Sequence, residues 1–475
     1  MTRLLEIIVA LVMVLILALI VGLLLPSSGH IQRTLTVSKD VRDVYDILDN
    51  FRRFPDYSML RSYDANLEYQ QSPDKWYGPG ASISWTSSKS DAGDGKLTIV
   101  SAKPGFNQVE YTGTATIVWS IQNNWHGTDK HFTIHLRRTG SQQKLVKITW
   151  DYDVDYGWNL INRYSGLYIH GRPDTLIQYS LANLENLLAT IPNIRYGDLD
   201  PSIVSTPQQP VLMISTTAKR QYDAVIAASD TAVKELQATI KKLGLHAAGP
   251  RIRFTTNFGD ENYQFDVAIP VDSDTVTIDG QQYTLGAPHA PAQNADAADG
   301  SSSAGASSVA AAGSAAAPAN AASAAAGPQP GTLDDHGRLI INAKVRGMLA
   351  FGGKALESTV HGSSAGILGT RQGLKAYAET HGYPFDAVTD PLYDAQVKAT
   401  GSIGPDGKPI TADQQVFKVY LPLAAAPAQT PEQALAAAAS AKAPAAAASV
   451  AGAPASGSSA PASAGSAPAK AATVQ

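Results

Sequence analysis

A long apolar run near the start of the chain constrains everything that follows it. Residues 4–25 read LLEIIVALVMVLILALIVGLLL, with Glu6 as their only charge. As a helix rising about 1.5 Å per residue, this run is long enough to cross a hydrocarbon core of roughly 30 Å. Pro26 and Gly29 then favour the end of the helix. The pattern predicts an uncleaved transmembrane anchor; the alternative is a secretory signal peptide, whose apolar region is usually shorter.

The charges beside this run indicate an orientation. Arg3 favours an N-terminus in the cytoplasm, which puts the rest of the chain outside, whereas Arg33, Lys39 and Arg42 weaken that asymmetry. The sequence contains no cysteine, so it has no disulfide, thiol nucleophile or cysteine metal site. We therefore expect a single-pass protein of the bacterial inner membrane with its soluble domains in the periplasm.

Composition divides the remaining chain into blocks. Residues 288–331 and 424–475 consist almost entirely of Ala, Ser, Pro and Gly. They offer little apolar surface to offset chain entropy, so we expect both to be disordered. Two folded blocks remain, at 31–192 and 207–423, each long enough for its own core. We interpret residues 193–210 as the linker between them.

The first block has the pattern of an antiparallel sheet covered by a helix. Residues 31–37 alternate apolar and polar side chains, and Ser38 or Asp40 can cap a helix over 41–48. Further alternating runs lie at 81–85, 97–99, 109–119, 132–136 and 146–152. Apolar residues from Ile177 to Ile191 then recur at alternating spacings of four and three. This helix would cover the dry face of the sheet.

This order of elements resembles the SRPBCC superfamily, the START-related polyketide cyclase/dehydrase group. The resemblance is carried by the opening segment 31–45, the run Gly78-Pro79-Gly80-Ala81 leading to Trp85, and the segments 95–100, 146–152 and 156–167. It implies a helix-grip fold around a pocket for lipids, polyketides or other apolar molecules. The strand positions that point to the dry face of the sheet supply the candidate pocket residues: Trp85, Tyr111, Trp119, Phe132, Trp150 and Tyr152. For each of them, the alternative is that the side chain simply fills the core.

The titratable groups of the first block do not form a catalytic set. His131 and His135 take the parity opposite to Phe132, and Asp151, Asp153 and Asp155 also take the polar parity; His126 lies nearby. We expect them on the solvated face, without a metal ion. Tyr111 and Tyr152 are the polar groups on the inward parity, so a cyclase- or dehydratase-like enzyme is the alternative rather than the leading interpretation.

The second block contains a repeat. Residues 263–271 align with 415–423 on the pattern Phe-x-Val-x-Ile/Leu-Pro-Val/Leu, which is typical of a strand that ends at proline. Before each strand lies a helix that ends at a glycine, Gly244 or Gly382. Strands at 211–216 and 340–351 precede the helices. The pattern predicts two β-α-β-β halves that pair through their strands and leave a groove on a pseudo-twofold axis.

This block resembles the gyrase-inhibitor-like (GyrI-like) domain, which is also the effector domain of AraC-type and MerR-type multidrug regulators. The matching residues are Gly244-Leu245, Gly249-Pro250, Ile269-Pro270-Val271, Val360-His361-Gly362-Ser363, Tyr393 and Leu421-Pro422. The resemblance implies a small-molecule groove, with candidate residues Phe265, Met348, Phe351, Tyr377, Tyr393 and Phe417. Pro391 replaces the acid that usually stands two positions before the strand tyrosine; Asp394 or Glu357 could substitute. Duplication without a working pocket is the alternative.

Together the patterns predict an α+β, membrane-anchored and non-enzymatic binding protein without a cofactor. Its expected partners are the lipid bilayer, through residues 4–25, and a hydrophobic small molecule, with a second small molecule or a protein bound by the second block. The formal net charge is −4 and no basic cluster occurs, so we expect no nucleic-acid partner. The alternatives are a cyclase-like enzyme and a stress or regulatory protein acting through protein contacts of the second block.

Overall fold

A computed structural model describes residues 2–73, 75–259, 261–289, 329–399, 401–402 and 408–448. The chain is a mixed α+β protein with an N-terminal apolar helix and antiparallel sheets. It divides into two compact units, Met1–Thr430 and Pro431–Gln475. Most of the predicted disordered insert, at 290–328, and the tail beyond 448 lie outside the described residues.

The apolar run forms helix α1 (Thr2–Leu24), whose side chains are almost all exposed. Among the described residues, one helix, α1, is long and apolar enough to cross a membrane. A signal sequence near the N-terminus would meet the same criterion. The predicted apolar helix is therefore confirmed.

The first sheet has seven antiparallel strands in the order β1-β7-β6-β5-β4-β3-β2. Its strands are β1 (Ser28–Val37), β2 (Glu68–Gln71), β3 (Ser82–Thr86), β4 (Gly95–Lys103), β5 (Thr114–Asn123), β6 (Thr128–Thr139) and β7 (Leu145–Asp155). The accompanying helices are α2 (Val41–Leu48), α3 (Phe54–Tyr57), α4 (Leu60–Tyr63), α5 (Phe106–Thr112), α6 (Leu160–Ser165), a 3₁₀ turn (Gly166–Tyr168) and α7 (Arg172–Thr190). The buried leucines of α7 join the apolar face of the sheet in one core.

The predicted strand over 109–119 is correct from Thr114 onward, where β5 begins, but wrong in its first part. Val109 and Tyr111 lie on α5, which ends at Gly113 in the left-handed conformation, with φ at 66°. In a helix these two side chains do not share a face, so Val109 is buried while Tyr111 is exposed. Tyr111 therefore lines no interior pocket.

The second sheet has nine antiparallel strands in the order β14-β15-β9-β11-β10-β17-β18-β16-β8. Its strands are β8 (Ser202–Thr206), β9 (Pro210–Lys219), β10 (Ile252–Phe258), β11 (Asn262–Pro270), β14 (Leu339–Ile340), β15 (Val345–Leu349), β16 (Gly353–His361), β17 (Tyr393–Lys398) and β18 (Val416–Pro422). A separate hairpin contains β12 (Thr275–Ile278) and β13 (Gln281–Thr284), and the helices are α8 (Tyr222–Lys242), α9 (Gly366–His381) and a 3₁₀ turn (Ala412–Gln414).

The predicted strand over 340–351 is divided. Leu339–Ile340 and Val345–Leu349 are two short strands, and β16 is the strand that leads into α9. The central strands β10 and β17 pair with each other, so that Phe254 lies opposite Tyr393. Helices α8 and α9 pack against strands of one face, where Phe265 and Leu236 belong to the same core.

The predicted linker is part of the folded unit. Ser202–Thr206 forms the edge strand β8, which pairs with β16. Tyr196 is buried, and its hydroxyl donates to the Asp46 carboxylate on α2, at 3.0 Å, and lies 3.1 Å from the Thr380 hydroxyl on α9. Since α2 also packs on α9, the first core continues into the second block.

Part of the predicted disordered tail is helical. In the second unit, α10 (Pro431–Ala448) is an alanine-rich helix. Alanine has the highest helix propensity, and the run contains no glycine and only one interior proline, Pro444. Proline is also well tolerated at the first helical position, which Pro431 occupies.

Candidate functional site

An open groove follows the face of the second sheet opposite α8 and α9. Two cavities form it, of about 510 Å³ and about 280 Å³. Both are lined by Phe254 and Phe351, so the two are continuous. We call this surface the groove.

Aromatic side chains make the centre of the groove. Phe254 and Tyr393 face each other across the β10–β17 pair, with ring centroids 5.5 Å apart. Tyr393 stacks on Tyr420 of β18 at 4.8 Å and 21°. Burial raises the pKa of Tyr393 to about 12, so its hydroxyl stays neutral at physiological pH. The wall can accept a flat apolar or cationic molecule.

A carboxylate lies beside the stacked tyrosines. Glu357 lines the smaller cavity and is mostly buried, and it accepts a hydrogen bond from Lys418 Nζ at 2.8 Å. Burial, and then the negative charge of Glu357, raise the pKa of Tyr420. Of the two suggested substitutes for the missing acid, Glu357 therefore faces the groove.

Asp394 does not face the groove. It lies on the helix side of β17, where Arg371 of α9 binds its carboxylate and Arg253 Nε lies 3.4 Å away. Both guanidinium groups contact the same carboxylate oxygen, Oδ1, so Asp394 is a structural ion-pair partner.

A second acid lines the larger cavity. Asp266 is buried on β11, and Arg338 Nη1 lies 3.5 Å from its carboxylate. Burial raises the pKa of Asp266, whereas a hydrogen bond from Ser215 and the charge of Arg338 lower it. The groove therefore has a carboxyl group in each of its two cavities.

The predicted groove residues separate by strand parity. Met348, Phe351 and Tyr393 line the groove. Phe265 and Phe417, the repeated phenylalanines, are fully buried on the other side, in the cores that contain residues of α8 and α9 respectively. Successive strand residues point to opposite faces, so the residues beside the repeated phenylalanines face the groove instead.

Tyr377 is also away from the groove. It is fully buried on α9, stacks on His381 at 3.9 Å and contacts Tyr196. Sequence reasoning missed Phe254, Asp266 and Tyr420. Asp266 directly follows the apolar Phe265 on the same strand, so its side chain points to the opposite face. This alternation was the sequence signal that could have placed Asp266 in the groove.

The predicted aromatic residues of the first block, other than Tyr111, fill its interior. Trp119 and Trp150 meet edge to face at 5.3 Å, and Phe132 packs on Trp150 at 5.8 Å. Trp85 contacts Phe54, and all of these rings are buried. Within the described residues, the indole Nε1 atoms of Trp85, Trp119 and Trp150 have no hydrogen-bond partner.

Tyr152 borders a separate cavity. This cavity, of about 350 Å³, lies at the end of the first sheet and is also lined by Trp125, Tyr156, Tyr168 and Ile169. Of the six residues predicted to line a pocket in the first block, Tyr152 is the one that lines any of the four cavities described.

Acid and histidine clusters occur at two other places. His131 and His135 lie on the outer face of the first sheet, 3.8 Å and 3.7 Å from Asp153 and Asp151 respectively. Among the described residues, Asp334, Asp335 and His336 bring ligand atoms within 4.8 Å of one another. Arg338 Nε binds the Asp334 carboxylate at 2.8 Å, so this acid already has a cation.

No family model and no curated protein sequence matches the chain. Among solved structures, it is similar to a hypothetical protein from Helicobacter pylori, with 9% identity over 33% of this chain and 86% of that one, and a TM-score of 0.24. An uncharacterized conserved protein from Listeria innocua has 11% identity over 47% and 92%, with a TM-score of 0.26. A chain described as a hydrolase from the same organism has 12% identity over 47% and 91%, with a TM-score of 0.24. Similarity at this level assigns neither family nor activity.

Proposed function

We propose that this chain is a membrane-anchored, non-enzymatic binding protein of the bacterial inner membrane, whose groove binds an aromatic, lipophilic cation. The observation that carries the proposal is the continuous groove, with an aromatic wall at its centre and a carboxyl group in each cavity. Its larger cavity lies within the usual range of small-molecule sites, roughly 300–1,000 Å³. Helix α1 is the anchor, and the soluble domains face the periplasm.

The arrangement of the second sheet supports a GyrI-like domain. Strand β9, helix α8 and strands β10 and β11 follow one another, and β16, α9, β17 and β18 repeat that order. The two halves pair through β10 and β17. A groove across the junction of two such halves is what the resemblance implies.

The first block supports an SRPBCC-like domain in its element order of strand, short helices, antiparallel strands and long helix. The cavity of about 350 Å³ beside Tyr152 favours a second, apolar ligand there. Because the interior aromatic rings pack on one another, this ligand would bind at the end of the sheet and not at its centre.

The charge of the ligand can be tested with two molecules of the same shape. Tetraphenylphosphonium and tetraphenylborate differ in sign, and each is titrated calorimetrically into the full chain in nanodiscs, with empty nanodiscs as the reference. We expect saturable binding of the cation alone. Glu357→Gln leaves the Lys418 charge uncompensated beside the tyrosines, so cation affinity should fall roughly tenfold.

Glu185→Gln is the matched control, because Glu185 is exposed on α7 in the first block. It should bind like the wild type. Equal binding of both ions, or an unchanged affinity in Glu357→Gln, would contradict the proposed ligand chemistry.

A further inference from the structure

The segment after β7 lies against the end of α1. We call residues 156–169 the juxtamembrane segment; it contains α6 and the following 3₁₀ turn. Tyr164 donates its hydroxyl hydrogen to the Ala18 carbonyl at 2.5 Å, although that carbonyl is inside the apolar helix. Gly22 allows the close approach, since an added Cβ would lie 3.1 Å from Tyr164 and 3.2 Å from Leu160.

An arginine completes the contact. Arg163 Nη1 donates to the carbonyls of Leu23, at 3.0 Å, and Leu25, at 3.2 Å, while its Nε donates to Gly157. The last carbonyls of a helix have no partner within the helix, so Arg163 satisfies orphan acceptors at the end of α1. The juxtamembrane segment is thereby held at a definite height along α1.

The outer side of this segment is strongly apolar. Its exposed side chains, with their exposed fractions, are Trp158 (82%), Ile161 (70%), Leu167 (60%) and Tyr168 (78%). All six tryptophans of the chain are described, and Trp158 alone among them is exposed. A soluble surface seldom concentrates large apolar side chains in this way without something that covers them.

The height of the segment indicates what covers it. Ala18 precedes the helix end at Leu24 by six residues, which corresponds to about 9 Å of helix. Tyr164 therefore reaches alongside the last turns of α1, where a spanning helix leaves the hydrocarbon core. Tryptophan and tyrosine concentrate at that depth, and arginine keeps its charge near the headgroups.

We infer that the juxtamembrane segment is a bilayer-docking surface, which inserts Trp158, Ile161, Leu167 and Tyr168 into the membrane interface and holds the first domain against the membrane. A protein partner is disfavoured because the apolar surface is continuous with the contact on α1. This inference rests on the proposed membrane anchor, which the experiment tests separately.

The test uses fluorescence quenching by brominated lipids. The full chain is reconstituted into nanodiscs of phosphatidylcholine that carries bromine either close to the glycerol backbone or near the acyl-chain ends. We expect stronger quenching by the shallow bromines, and Trp158→Phe should lose the larger part of the quenched signal. The other tryptophans are buried or partly buried, which makes the difference between the two proteins specific to Trp158.

Tyr111 supplies the matched control. Its helix leads into β5, which begins at Thr114, while the end of β5 at Asn123 lies toward the α1 side of the sheet. A strand of ten residues spans about 30 Å, so Tyr111 lies well away from the membrane. Tyr111→Trp in the Trp158→Phe background should add no quenching beyond what Trp158→Phe itself retains.

The outcomes separate the two proposals. Retention of intact α1 in the nanodisc without quenching of Trp158 would overturn the docking surface alone. Equal quenching at Tyr111→Trp would also overturn it, since the insertion would not be specific to the juxtamembrane segment. A chain released without its N-terminal helix would overturn the anchor and the docking surface together.

Discussion

The guanidinium of Arg163 donates a hydrogen bond to the main-chain carbonyl of Leu23 at 3.0 Å. This bond joins two segments that are far apart in the sequence and fixes the apolar helix on the first domain. The same guanidinium lies 5.3 Å from the centre of the Trp158 ring. One side chain therefore connects the end of α1, the first domain and the apolar docking surface.

Arg163→Ala should release α1 from the first domain. The variant loses three charge-assisted hydrogen bonds to backbone carbonyls and leaves those carbonyls without the arginine. We expect faster proteolysis within residues 25–29 in nanodiscs, measured as the rate at which the soluble part is released. Arg163→Lys keeps the charge but lacks the planar fork, so it should give an intermediate rate. An Ala variant as resistant as the wild type would contradict the role of Arg163.

Phe351→Ala and Phe265→Ala should have opposite consequences. Phe351 lines both cavities of the groove and is partly exposed, so its truncation should weaken tetraphenylphosphonium binding with a modest effect on stability. Phe265 is fully buried beneath α8, so its truncation should cost about 3–5 kcal/mol of unfolding free energy. Calorimetric titration and urea unfolding of both variants measure the two effects. A stability loss confined to Phe351→Ala would contradict the assigned faces.

Trp119→Ala tests whether the first domain has a filled interior. Trp119 is fully buried and contacts Phe51, Phe54 and Trp150. Loss of this packing should cost about 3–5 kcal/mol. Trp158→Ala, at an exposed position, should change stability by less than about 0.5 kcal/mol in detergent. A small cost at Trp119, measured by urea unfolding, would indicate that its ring lines an open pocket.

Periodicity predicted the long elements because each has one clear apolar stripe. Helix α7 keeps its stripe from Ile177 to Leu188, and the repeat around Phe265 and Phe417 marks β11 and β18. Such a periodic pattern arises whenever one face of a helix or strand is buried, whatever that face packs against. They were sufficient to predict an α+β chain with an apolar N-terminal helix and antiparallel sheets.

Long-range packing decided what periodicity could not. Val109 and Tyr111 fit a strand as well as a helix over so short a run, and Gly113 ended the helix. The sequence predicts the repeated phenylalanines in the groove, which is wrong because a repeat does not reveal which face of the sheet the helices cover. Tyr196 looked like a linker residue because its partners, Asp46 and Thr380, come from distant parts of the chain.

The acidic face of α2 is buried at the contact with α9. Both carboxylate oxygens of Asp43 are buried and, within the described residues, lack a hydrogen-bond partner. Burial raises the pKa of Asp43 well above its usual value; the neighbouring Asp40 and Asp46 raise it further, and Lys39 and Arg42 oppose the rise. Burial likewise raises the pKa of Asp46 and Asp49.

Asp43→Asn should therefore stabilise the protein at neutral and higher pH. A carboxyl group with a raised folded-state pKa contributes its full stability below its unfolded pKa, near 4, and loses it as the pH rises through the folded value. Asparagine carries no charge to desolvate, so we expect a gain of roughly 1–3 kcal/mol at about pH 8 that shrinks toward about pH 4. Urea unfolding of the full chain in detergent, followed by tryptophan fluorescence, measures this gain. Asp129→Asn, at an exposed position near the start of β6, should show no such pH-dependent gain. A gain at Asp43 that is the same at both pH values would contradict the buried charge as its cause.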